Sequence, residues 1–77
     1  MSGITLRQLQ YYVRVVEHGS VTAAAAACHL SQAAVSMAIS QLERSLETDL
    51  LIRSRSKRVA PTPAGSRALR TPAALAR

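Results

Sequence analysis

The stretch from Ser20 to Leu46 limits the fold more than any other part of this chain. It holds a short segment, a tight break and a longer segment, and each opens on a residue suited to cap a helix. Ser20 precedes Val21, Ala24, Ala25 and Cys28, which share one face of a short helix. The run Ala23 to Ala27 favours helix, because alanine has the best intrinsic propensity and lets a neighbouring helix come close. His29 and Leu30 make the break, and Ser31 stands where the next N-cap belongs. Val35, Ile39, Leu42 and Leu46 then recur at i, i+4, i+7 and i+11. This pattern predicts a helix from Gln32 to Leu46, roughly 22 Å long at 1.5 Å per residue. A short helix turning tightly into a longer one with a polar outer side is a helix-turn-helix.

The segments on either side extend this picture. Leu6, Leu9, Val13 and Val16 predict an inward-facing stripe on a first helix, with Thr5 as N-cap and Gly19 as its stop. Arg7, Gln10, Arg14 and Glu17 fill the opposite side. After Leu46 the helical period fails. Leu50, Leu51 and Ile52, then Val59 and Ala60, predict a two-stranded ribbon whose tip is basic. Two strands alone are marginal, so they must lean on the helices. Thr62 followed by Pro63 starts another helix, continued by Ala64, Ala68 and Leu69, and Pro72 ends or breaks it. Phe and Trp are absent and only Tyr11 and Tyr12 are aromatic, so the core comes from closely packed helices. Tyr12, Cys28 and Leu30 belong to that core, while Tyr11 is partly exposed. At 77 residues the chain is one domain with a thin core.

Charge divides the chain. Residues 1–50 carry three arginines against four acids, whereas residues 51–77 carry seven basic residues and no acid. A purely basic half points to a polyanion, nucleic acid first. The outer side of the third helix presents Gln32, Ala33, Ser36, Met37 and Ser40, and its first turn would enter a major groove. The Gln32 amide can pair bidentately with adenine. Ser31 and Ser36 suit phosphate oxygens. Ser31 could equally be a cap alone, and Gln32 a plain solvated residue. Arg53, Arg55, Lys57 and Arg58 form the basic ribbon, read either as a soluble hairpin or as a contact to phosphate and minor groove. A basic ribbon directly after a helix-turn-helix favours the second reading.

Other functions fit less well. There is no nucleophile–base–orienter set and no phosphate loop, so no enzyme is expected. Cys28, His18 and His29 lack the spacing of metal ligands, and no cofactor is implied. The basic residues lie on a turn rather than along one helix face, which argues against a membrane-active peptide. No signal peptide or membrane span is visible, and one cysteine allows no internal disulfide, so a reduced, cytoplasmic setting is expected. A protein-interaction or dimerisation module remains the alternative of another class.

The ordered set Leu6-Arg7-Gln8-Leu9, Gly19-Ser20-Val21-Thr22, Ala24-Ala25, Leu30-Ser31-Gln32, Ser36, Ile39, Leu42-Glu43, Leu46, Leu50, Arg53 and Thr62-Pro63-Ala64-Gly65 closely resembles the N-terminal DNA-binding domain of LysR-type transcriptional regulators. The resemblance covers residues 4–70. It implies a mainly α, winged helix-turn-helix fold: a three-helix core, a two-stranded β wing and the start of a linker helix. It places the DNA-binding domain at residues 1–61 and the linker helix at 62–77, interrupted near Pro72. Residues matching Gln32, Ala33, Ala34, Ser36 and Met37 would face the major groove. Those matching Ser31 and Arg53 would touch backbone, and the wing would reach the minor groove. The implied partners are a promoter inverted repeat in double-stranded DNA and a second copy of the chain, paired through the linker helix. The effector domain of such regulators is not part of this sequence, and a small-molecule effector is implied only where that domain exists. The chain departs from the family's usual residues at Ala33, Met37, Glu47, Leu51 and Pro61.

Overall fold

A computed structural model describes residues 5–56 and 58–70. Its elements run in the order α1 (Leu6–His18), α2 (Val21–Ala27), α3 (Gln32–Leu46), β1 (Leu51–Arg53), β2 (Val59–Pro61) and α4 (Pro63–Ala68).

Each helix begins on a side chain that accepts a backbone N–H. Thr5 Oγ1 accepts from Gln8 N and the Gln8 side chain accepts from Thr5 N, a reciprocal capping box. Ser20, Ser31 and Thr62 cap α2, α3 and α4 in the same sense, with Pro63 at the first position of α4. Left-handed residues terminate the first three helices. Gly19 sits at φ +68°, His29 at +57° and Glu47 at +54°. The last two carry side chains in a region that costs an L-residue free energy. Leu30 N donates to Ala25 O, and Thr48 N to Glu43 O, closing both helix ends.

Helices α1, α2 and α3, with Leu50 and Leu51 at the start of the wing, pack around one core of Tyr12, Val15, Val21, Ala24, Ala25, Val35, Ile39, Leu42, Leu50 and Leu51. Between α2 and α3 the chain bends by 113°, within the range of a helix-turn-helix. β1 and β2 pair antiparallel, with Leu51 opposite Pro61, Ile52 opposite Ala60 and Arg53 opposite Val59. The architecture is a winged helix-turn-helix followed by a further helix. No single helix among the described residues is long and apolar enough to cross a membrane.

The packing corrects three expectations. The inward row of α1 is Gln8, Tyr12 and Val15, with Val13 also buried, while Leu9 and Val16 are half-buried and Leu6 is 50% exposed. The stripe is therefore rotated from the apolar one: Tyr12 lies in the core, bonded to the Leu50 carbonyl, and Gln8, one turn before it, shares that face, where its Nε2 donates to Gln41 Oε1 at 3.2 Å. Leu46 lies at the last position of α3, where the chain reverses through Glu47, and it is 41% exposed rather than locked into the core. Cys28 caps the C-terminus of α2 and is only half-buried, whereas Leu30, also half-buried, packs against the core as expected. α4 ends at Ala68 with Leu69 as its cap. Pro72 and the rest of the expected linker helix lie outside the described residues.

Candidate nucleic-acid interface

The Ser31 cap sets the start of α3. Its Oγ accepts from Ala34 N at 3.0 Å, which satisfies one orphan donor of the first turn. The Ser31 hydroxyl proton is not used in that bond. Capping and donation to a phosphate oxygen are therefore compatible at this residue, rather than alternatives.

From this start, Gln32, Ala33 and Ala34 are exposed, and so are Met37 and Ser40. Val35 and Ile39, on the opposite side, are wholly buried. The first turn of α3 thus points outward and carries Gln32 with it. Ser36 departs from the expected outer row. It is half-buried and faces a cleft of about 260 Å³.

That cleft gathers residues from three elements. Thr22 and Val21 come from α2, Gln32 and Ser36 from α3, and Arg53, Ser54 and Val59 from the wing. Hydroxyl and amide groups line it, with one guanidinium at its side. The sequence pattern marked Gln32, Ser36 and Arg53, but not Thr22 or Ser54. Thr22 offered a faint signal, as a polar residue at the second position of an otherwise alanine-rich helix. Ser54 offered none, since only the wing's register brings it to the cleft.

One backbone contact ties the wing to the helices, and two further bonds close its base. Val59 N donates to the Gly19 carbonyl at 3.0 Å, tying β2 to the α1–α2 turn. Thr62 N donates to Leu50 O at 3.1 Å, and Thr62 Oγ1 donates to Asp49 O at 2.7 Å. Within the tip, Ser54 N donates to Arg58 O at 3.0 Å.

The wing arginines are not equivalent. Arg53 closes β1 beside the cleft, and Arg55 lies in the exposed turn. Arg58 folds back toward the α1–α2 turn, so that a methyl built on Gly19 would come within 3.0 Å of its Nη2. The expected cation at Lys57 lies outside the described residues. Three of the four acids gather elsewhere. Glu43, Glu47 and Asp49 cluster around the far end of α3, where Glu43 Oε2 accepts from Leu50 N at 2.8 Å. Among the described residues, no group of three or more His, Cys, Asp or Glu could hold a metal ion.

Residues 6–66 match the family model described as bacterial regulatory helix-turn-helix protein, lysR family. The chain is 42% identical over 62 residues to the nitrogen assimilation regulatory protein nac of Klebsiella aerogenes, a match covering 80% of this chain and 20% of that protein. It therefore spans about a fifth of the length of the curated relatives it matches. Its fold is similar to that in the crystal structure of the CbnR_DBD–DNA complex, with TM-score 0.81 and 36% identity over 86% of this chain and 75% of that one. The BenM_DBD/catB site 1 DNA complex is similarly close, with TM-score 0.79 and 41% identity over 84% and 71% of the two chains.

Proposed function

Because this chain belongs to the lysR family of bacterial regulatory helix-turn-helix proteins, we propose that it binds double-stranded DNA sequence-specifically, as the DNA-binding part of a transcriptional regulator without catalytic activity. The observation that carries the reading is the common orientation of two elements. The outward first turn of α3 and the Arg53 end of the wing border one polar cleft. α3 enters the major groove with Gln32 against base edges. Arg53 and Ser31 contact phosphates, and Arg55 extends toward the neighbouring minor groove. The similarity to two domains crystallised with DNA supports this docking. Two copies bind an interrupted inverted repeat, joined through the helix that begins at Pro63, and the protein works in the cytoplasm.

The test is binding of the chain to labelled duplex DNA over a range of salt. Affinity falls steeply with salt, because each neutralised phosphate releases condensed counterions. An absence of duplex binding at low salt would return the chain to the class of protein-interaction modules.

A further inference from the structure

The base-facing turn of α3 is uncharged. From Gln32 to Leu42 no residue carries a charge. Arg53 of the wing borders the cleft that Gln32 and Ser36 also line. What the turn presents is apolar. Ala33, Ala34 and Met37 are exposed, and Met37 is 62% open to solvent. Met37 follows Ala34 by three residues and Ala33 by four, so the three side chains are neighbours on one helix face. Together they form two methyls and a flexible thioether next to the Gln32 amide.

The chemistry of a major groove limits what this patch can meet. Guanine is read through O6 and N7 by arginine or lysine, and cytosine through its amino group by a carboxylate. Neither type of side chain stands on this turn. The one apolar group in the groove is the C5-methyl of thymine, and alanine-like surfaces pack on it. A thioether on an unbranched stem adapts its shape to such a contact. Arg53, which shares a cleft with the neighbouring Gln32, favours a polyanion over an apolar protein surface as its occupant.

We infer that α3 selects A·T base pairs, with Met37 and its two alanine neighbours packing on a thymine C5-methyl while Gln32 pairs with an adenine. This rests on the DNA-binding reading above. Specificity at this turn then comes from methyl burial rather than from a cation.

The test begins by selecting duplexes bound by the 77-residue chain from a random library. Each thymine of the selected site is then replaced in turn by deoxyuridine, which keeps the pairing and removes only the methyl. At the Met37 contact this weakens binding about fourfold, the effect of leaving one methyl unburied. Met37→Ala loses most of that penalty, and Met37→Arg moves the preference there toward guanine. Met37 is mostly exposed, at 62%, and circular dichroism melts check that both variants stay folded. Neutral uracil at every position, with selective binding retained, overturns the methyl inference and leaves the DNA-binding reading standing. A penalty unchanged in Met37→Ala overturns the role of Met37. Failure to select any duplex at low salt overturns the DNA-binding reading and this inference with it.

Discussion

Tyr12 Oη donates to the Leu50 carbonyl at 2.6 Å, joining the middle of α1 to the residue before the wing across 38 positions of chain. Gly65 makes room for this bond. A methyl at position 65 would collide with the Tyr12 hydroxyl and with the Leu50 oxygen. Gly65→Ala should therefore lower the unfolding free energy by about 2–4 kcal/mol, through overpacking and loss of the bond. Tyr12→Phe should cost about 1 kcal/mol, since Leu50 O keeps the Thr62 N–H as a partner. Urea melts of the single and double variants check the relationship. The double variant should be less damaged than the sum of the two, because Phe removes the atom that the new methyl strikes.

Burial first, and the Glu43 carboxylate second, push the Tyr12 pKa from its ordinary value of 10.0 to about 12. The folded state therefore prefers the neutral phenol. Its contribution to stability is fully present below pH 10 and is lost as pH rises through about 12. Circular dichroism melts from pH 9 to 12 should show this loss in the parent and a flatter profile in Tyr12→Phe. Glu43→Gln keeps an oxygen acceptor for Leu50 N and removes the charge, so it should lower the Tyr12 pKa in a phenolate absorbance titration.

Glu47 ends α3 at φ +54° and ψ +39°, in the left-handed region. A side chain there costs about 1 kcal/mol or more, and glycine does not bear that cost. Glu47→Gly should stabilise the fold by about 0.5–1 kcal/mol and raise Tm by about 2–8 °C for a domain of this size. Differential scanning calorimetry reads the shift. A lower Tm would mean that the Glu47 side chain makes a contact worth more than its backbone strain.

Gln32 and Arg53 border the same cleft from different elements, and their variants should separate base reading from backbone binding. Gln32→Ala should relax preference at one base pair, at a cost of about 1–3 kcal/mol. Arg53→Ala should weaken binding to all duplexes alike and reduce the salt slope by about one. Competition titrations with selected and scrambled duplexes distinguish the two. Unchanged specificity in Gln32→Ala would contradict the docking of α3.

The amino-acid order alone determined where the helices start and where α1 and α3 stop. Thr5, Ser20, Ser31 and Thr62 were legible as caps, and α3 runs from Gln32 to Leu46 as its apolar spacing requires. These features depend on hydrogen bonds and side-chain neighbours within about four residues, so a short window contains their causes. The outward position of Gln32, Ala33, Ala34 and Met37 follows from the same period, because Val35 and Ile39 must face inward. Long-range packing instead fixed which row of α1 is buried, that Arg58 folds back over Gly19 while Arg53 borders the cleft, and that Thr22 and Ser54 share that cleft with Gln32. Those outcomes depend on contacts such as Tyr12 with Leu50 and Val59 with Gly19. Residues far apart in sequence meet there only once the helices and wing have closed on one another, and no local pattern records where they will meet.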